Sequence, residues 1–304
     1  MAENFLVTGL PEYVEQNQAP LLRKMVLGGK TISRIGKQLG IKSSAALNYL
    51  ETNPTFQEGK GCGFNAQGTA TLSQRVITTG MIKVNMTICP DTLLGKYAEH
   101  LVEIGAGKEK LPFEQEVSES IVNNIDDKME KAIWQGDTSS LDADLQHFDG
   151  LLKIMNAESD VVKTSVSGAS AYDAIKAVIK KIPAATLKKG AEVYVAPDMF
   201  LNFMLELVEK NYYHYSAGNG ELPQEFPFPA TNIKVVSTDG LAGAGKIVAA
   251  YPQELFFGTD LMDNKEELKI WFSDDDDIFK VKAKWNAGTQ VAFPDEVVLA
   301  TVTA

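Results

Sequence analysis

The sequence predicts an α+β fold, and three observations carry that prediction. Ile82, Val84, Met86 and Ile88 alternate with Lys83, Asn85 and Thr87, the period of a strand with one apolar face. Phe113, Val117, Ile121, Ile125, Met129 and Ile133 recur every four residues, the row expected along a long amphipathic helix. From residue 255 the apolar residues fall into strand-like runs at Leu255–Phe257, Leu268–Phe272, Phe279–Trp285 and Val297–Val302.

At 304 residues the chain suits one elaborated domain or two lobes. An apolar content of 44% argues against disorder of the whole chain. No apolar run approaches the roughly 18 to 20 residues needed to span a bilayer, and Met1–Phe5 lacks the basic start of a secretory signal. A soluble protein with no membrane partner is expected. The formal net charge of -11 argues against a main task of gripping nucleic acid, which needs a Lys/Arg surplus. It suits a container whose wall lets packed DNA slide. Cys62 and Cys89 form no C-x-x-C pair and read as free thiols, with a single bridge between them left open.

Residues 1–42 read as an arm. Phe5, Leu10, Tyr13, Leu21, Leu22, Met25, Val26 and Leu27 are scattered, Arg23, Lys24, Lys30, Arg34, Lys37 and Lys42 gather, and no acid follows Glu15 within the segment. Such a segment is expected to lie across another surface, on its own chain or on a neighbour; a short helical start to the domain is the other reading. Residues 43–90 read as a long β-ribbon with a tip made pliable by the glycines at 59, 61, 63 and 68. The apolar face at Ile82, Val84, Met86 and Ile88 is expected to lie on a neighbouring subunit, because a lone ribbon gains little from burial within its own chain.

A first helix is expected from Asp91, a good N-cap after Cys89–Pro90, and a second from Leu111–Pro112 to Gln135, with Gly136 just past its end. The second is a helix of about six turns, about 35 Å long. Its apolar row from Phe113 to Ile133 should form the core of the surrounding lobe. Residues 138–260 read as α/β: helices at 170–181 and 199–210, a buried strand at Glu192–Ala196, and strands at 233–236 and 247–251.

Motifs that could carry chemistry are incomplete. Gly240–Lys246 matches most of a phosphate-binding loop, but Ile247 stands where a Mg²⁺-binding Ser or Thr belongs, and a strand follows where a helix is required. Asp274–Asp277 reads as a solvated hairpin tip, without the spacing of an EF-hand. His100, His147 and His214 lie in separate segments with no zinc-site spacing. No catalytic residue, cofactor site or metal site is expected, although an α/β enzyme of unknown reaction is kept as a competing class.

Three stretches give the order of parts its meaning. Met129–Gly136 is followed by Asp137–Thr138 and then Phe148–Leu152; Val193–Met199 joins a strand to a helix; and Gly288–Val298 is a late stretch that contains Pro294–Asp295–Glu296. With a basic arm, a ribbon, a long helix, an α/β lobe and a β-rich tail in that order, the chain resembles the Hong Kong 97-type major capsid proteins of tailed bacteriophages. The resemblance implies an N-arm over 1–42, an E-loop over 43–90, a P-domain with spine helix over 91–150, an A-domain over 151–258 and P-domain strands over 259–304. It further implies self-assembly through pentamers and hexamers into an icosahedral shell around double-stranded DNA. Expected companions are a portal protein and a separate scaffolding or decoration protein, with the subunit made in the host bacterial cytoplasm and ending in the virion. No crosslinking residues carry over. The nearest alternative is an encapsulin-like nanocompartment shell, which resembles the same fold.

Overall fold

Two mixed sheets and one separate two-stranded hairpin organise the chain in a computed structural model that describes residues 10–59, 63–64, 66–93, 96, 113–168, 170–211, 223–261 and 267–303. The first sheet runs β1 (Gly36–Leu39), β10 (Leu255–Thr259), β12 (Ile278–Val291), β11 (Glu267–Ser273), with β4 (Gly80–Ile88) also paired to β12. The second runs β5 (Val162–Ser167), β13 (Val298–Thr303), β9 (Lys246–Ala250), β6 (Glu192–Val195), β8 (Lys234–Ser237), β7 (Glu225–Pro227). The hairpin is β2 (Ser44–Pro54) with β3 (Gly68–Thr78).

β12 shows why the first sheet forms. Phe279, Val281, Ala283, Trp285 and Ala287 are buried on one face, while Lys280, Lys282, Lys284 and Asn286 alternate on the other. That period of two is the sequence signature of a half-buried strand. The buried face belongs to the main core, together with the helices of the first 42 residues: residues 10–16, α1 (Gln18–Leu27) and α2 (Lys30–Arg34). Leu10, Val14, Leu22, Met25, Val26 and Ile32 are buried there. The basic stretch after Glu15 therefore lies on its own chain, through the apolar residues that interrupt its lysines and arginines.

The long helix α3 runs from Phe113 to Gln135. Trp134 and Ile133 near its end are fully buried, as are Val122 and Met129. Its exit is a close glycine pair: the Gly150 amide donates to the Gly136 carbonyl at 2.8 Å. A Cβ on Gly136 would lie 2.6 Å from the Phe148 carbonyl oxygen, and one on Gly150 would lie 2.5 Å from the Gly136 nitrogen. Only residues without a side chain fit this back-to-back turn. The loop between them is tied by Lys153, on α4 (Leu151–Ala157), whose Nζ donates to Asp137 and Asp149 at 2.7 Å each. The hydrogen bonds from Lys153 and Ser139 hold Asp137 down to about 2.

The second sheet is buried on both faces. Tyr194, Val248, Ala250 and Leu299 face the main core, whereas Val193, Val195, Ile247, Ala249 and Ala300 face a second core formed with α5 (Ala171–Ile179) and α7 (Pro197–Glu209). Continuous apolar runs, not alternation, are what two-sided burial requires of the sequence. Pro197 sits in the first turn of α7, where its missing N–H costs nothing. Between these helices lies the short α6 (Ala184–Lys189). The chain passes between the two sheets at 158–161, 251–254 and 292–297.

A buried carboxylate joins the parts. Glu130 of α3 accepts from the Thr31 amide at 3.2 Å and from Thr238 Oγ1 at 2.7 Å, and also bonds Thr31 Oγ1. Trp134 Nε1 donates to Thr31 Oγ1 at 2.8 Å. These hydrogen bonds let an acid survive at 4% exposure. They link the N-terminal helices, the long helix and the loop after β8. The expected helix from Asp91 falls mostly outside the described residues, as do Cys62, His100 and His214. Cys89 is an exposed free thiol.

Candidate assembly surface

Among the described residues, the outer part of the hairpin is the feature that no core accounts for. β2 and β3 pair in register over eleven positions, from Ser44 opposite Thr78 to Pro54 opposite Gly68. At about 3.4 Å per residue this is roughly 35 Å of two-stranded ribbon. Two strands alone are marginal in water, so the ribbon needs support, and among the described residues only its root has it. Ile41, Leu47 and Ile77 form a small buried cluster edged by Ala45, Tyr49 and Phe256. Gln290 Nε2 donates to the Val76 carbonyl at 2.7 Å, and Asn286 Nδ2 to the Lys42 carbonyl at 3.0 Å. A Cβ on Gly288 would sit 2.2 Å from the Thr78 carbonyl oxygen, so glycine lets the ribbon lie flat on β12.

Beyond the root, alternation puts Ala46, Asn48, Leu50 and Thr52 on one face with Val76, Gln74, Leu72 and Ala70 opposite them. Every one of these residues is exposed, Leu50 at 66% and Leu72 at 69%. Gln74 donates to Asn48 at 3.0 Å, and the face carries no charge. Phe56 and Phe64, towards the tip, are fully exposed as well. An apolar stripe on a long ribbon is a surface that natural proteins cover.

This corrects the expected location of the ribbon's apolar face. β4 is a strand of the first sheet, with Ile82, Val84, Met86 and Ile88 opposite Trp285, Ala283, Val281 and Phe279 of β12. Ile82 is buried in the main core, and Val84 and Ile88 pack against it; Met86 alone of the four is exposed. The alternation is that of a half-buried internal strand, and three of its four residues are used within the chain. The stripe at Leu50, Leu72 and Val76 was less visible because Thr, Ser, Asn and Gln occupy most of β2 and β3. Of the helix row, Ile125, Met129 and Ile133 are buried and Val117 and Ile121 pack against the main core; the Phe113 side chain lies outside the described residues.

The three crossings between the sheets converge on the ribbon root. Arg75 of β3 pairs with Glu158 at the first crossing. Tyr49 of β2 packs against Phe293 at the third, with ring centroids 4.7 Å apart and the rings tilted by 59°. Lys189 bridges Glu254 of the second crossing and Glu296 of the third at 2.7 and 2.6 Å. Burial, reinforced by the hydrogen-bonded Glu296, pushes Glu254 up to about 7. Ribbon position and the joint between the two sheets are therefore mechanically adjacent.

The phosphate-loop-like stretch is a turn: Lys246 opens β9, and its Nζ donates to Thr301 Oγ1 at 2.7 Å. Asp274–Asp277 caps the β11–β12 hairpin, with Asp276 paired to Lys280. Among the described residues no group of three or more His, Cys, Asp or Glu could hold a metal ion, and no helix is long and apolar enough to cross a membrane.

This architecture matches capsid shells of known structure. A chain of the satellite phage P4 procapsid, a structure that includes the size determination protein, aligns with a TM-score of 0.63 at 13% identity, covering 94% of this chain and 91% of that one. A chain of Gordonia phage Cozz aligns at 0.55 and 11% identity over 90% and 86%. The virus-like particle from Pyrococcus furiosus aligns at 0.54 and 8% identity over 95% and 99%. No protein-family model and no curated protein matches the sequence. The chain thus has the Hong Kong 97-type capsid fold, with likeness at the level of fold.

Proposed function

We propose that this chain is a major capsid protein that assembles into the closed shell of a tailed bacteriophage. The observation that carries the reading is the ribbon: a roughly 35 Å hairpin with an uncharged, exposed face that carries Leu50, Leu72 and Val76, on a chain that aligns over 94% of its length with a procapsid chain. A surface of this kind gains its stability from a neighbour, and copies repeated around five- and six-fold axes close a shell. The ribbon acts as the clamp of the E-loop, and α3 as the spine of the P-domain. The second sheet with α5 and α7 is the A-domain. The shell encloses double-stranded DNA without specific binding, and a portal protein with a separate scaffolding or decoration protein completes the particle.

Electron microscopy of the purified protein tests this. Closed icosahedral particles are expected, alone or with the scaffolding protein of the same virus. A chain that stays monomeric at high concentration under both conditions overturns the reading. A weaker second reading is an encapsulin-like compartment, since the fold also aligns with a virus-like particle, at a lower TM-score than with the phage procapsid chain. Particles from the native source that hold an enzyme in place of DNA would establish it.

A further inference from the structure

α7 buries one side and leaves a second apolar strip in the open. Phe200, Phe203, Met204 and Leu207 enter the second core. Leu201, Leu205 and Val208 follow at helical spacing and are 42%, 54% and 58% exposed. Glu206 fixes which way this strip points. It accepts from the Ala171 and Tyr172 amides at the start of α5, at 2.7 and 3.1 Å, so its side of α7 faces α5. The strip lies about 130° around the helix from Glu206, on the flank turned away from α5. α7 packs on β8, towards one end of the second sheet, whereas α5 packs on β9, β13 and β5 towards the other. Asp198 and Glu209, both exposed, bracket the strip; they stand roughly 16 Å apart along the helix.

The other end of the same lobe carries this pattern with the opposite sign. Residues 174–191 hold five lysines and no Asp or Glu. Lys176 lies over the Tyr172 ring, and Lys189 bonds Glu254 and Glu296. Lys180, Lys181 and Lys188 are exposed and form no ion pair among the described residues, and the same holds for Asp198 and Glu209. Amid these lysines α6 presents Ala184 and Leu187, three residues apart on one helical face, with Leu187 47% exposed. Thr186 Oγ1 donates to the Glu296 carbonyl at 2.7 Å and anchors α6 just before β13.

We infer that the α7 strip of one copy seats on α6 of a second copy, a head-to-tail contact with an apolar centre and a rim of opposite charges. The inference rests on the shell-forming reading and names two surfaces through which copies meet. What the strip demands selects its occupant: an apolar centre with cations around it. Asp198 and Glu209 turn away a polyanion such as DNA. They also disfavour a second α7, because two such helices side by side would set these carboxylates against one another. The chain supplies the required surface itself, around Leu187 at the opposite end of the lobe. Two different patches on one chain make a heterologous contact, which passes from copy to copy and closes as a ring where the rotation allows. The apolar centre supplies the affinity, and the rim charges set register and partner choice.

The test exchanges the charges in the full chain. One variant carries Lys180→Glu, Lys181→Glu and Lys188→Glu, a second Asp198→Lys and Glu209→Lys, and a third all of these. Far-UV circular dichroism confirms folding, and assembly is followed by light scattering and microscopy. Each half-exchange should weaken assembly roughly tenfold or more, and the full exchange should return it to within about threefold of the parent. A second measurement uses chains in which Cys62 and Cys89 are changed to Ser. Leu187→Cys and Leu205→Cys chains, mixed and treated with a short bismaleimide, should form a crosslinked dimer that neither forms alone. Half-exchanged variants that assemble as the parent does, or a folded full exchange no better than either half, overturn this inference and leave the shell reading standing. So does a mixture without the crosslink, or a crosslink formed by Leu205→Cys alone. Half-exchanges that fail only when the scaffolding protein is present would assign the strip to that protein instead. A parent chain that never assembles overturns both readings.

Discussion

Leu50 and Leu72 stand directly opposite one another across the β2–β3 ribbon, on a face that none of the other described residues covers. Each is more than three-fifths exposed, although a leucine pair at these positions gains almost nothing in the isolated subunit. Burying one leucine side chain stabilises by about 1.5–3 kcal/mol, so the pair is useful only against a second surface. Leu50→Ser with Leu72→Ser should change the subunit's unfolding free energy by less than about 1 kcal/mol. The same change should weaken assembly by at least tenfold per subunit contact. Denaturant titration beside particle yield measures both; particles formed as readily as the parent's would show that the ribbon face is not a contact.

Cutting the ribbon back separates root from clamp. Ile77 is fully buried and Leu47 nearly so, so a deletion that reaches them would damage the body of the protein. Replacing residues 52–70 with a short Gly-Ser turn spares both, along with Tyr49 and Arg75. The expected product has the parent's circular dichroism and thermal midpoint within a few degrees but builds no closed shells, or fragile ones. Loss of folding would mean that the outer ribbon belongs to the chain's own core.

Much of this fold was legible in the sequence, and the reasons are physical. A helix that buries one face and wets the other must repeat its apolar residues, so the row ending at Ile125, Met129 and Ile133 marks α3 well. β12 announces itself in the same way through Phe279, Val281 and Trp285. What periodicity does not encode is the partner. Ile82, Val84 and Ile88 show that one face is buried without saying whether their own chain or a neighbour covers it, and β12 covers it. The ribbon strands, rich in Thr, Ser and Asn, have no strong alternation because most of their surface faces water. The Glu130–Thr31–Trp134–Thr238 network was invisible because its members lie up to 207 residues apart, between Thr31 and Thr238.

The network makes its own prediction. Thr31→Val keeps the shape of the side chain and removes the hydroxyl that meets Glu130, Trp134 Nε1 and Thr238. A buried carboxylate and a buried indole N–H would each lose a partner, a cost of about 1.5–3 kcal/mol. Ser at the same position restores the hydroxyl and should recover most of the loss. Chemical denaturation of the three proteins checks this; a Val variant as stable as the parent would show that the acid is satisfied without Thr31.

The joint between the sheets should respond to pH through Glu254. Its carboxyl is raised by burial, then by the hydrogen-bonded Glu296, from an ordinary 4.5 to about 7, against the opposing pull of Lys189. Between those two values the folded chain holds a proton that the unfolded chain has released. Stability gained from this group is therefore complete below about pH 4.5 and lost as pH rises through 7. Asp126, raised by burial and by Glu130 and Asp127 to about 6, acts in the same direction. The opposite case is Asp137, held at about 2, whose contribution is lost only as pH falls below 3.8. The folded subunit should accordingly melt higher near pH 5 than at pH 8, by on the order of 2 kcal/mol or a few °C. Glu254→Gln supplies a permanently uncharged group that still hydrogen-bonds Glu296, and it should flatten most of the slope between pH 5 and 8 while leaving the melting point at pH 5 near the parent's. Calorimetry of the two proteins across that range measures it. An unchanged slope in the Gln variant would show that the proton is held elsewhere, and that the joint beneath the ribbon is not sensitive to pH.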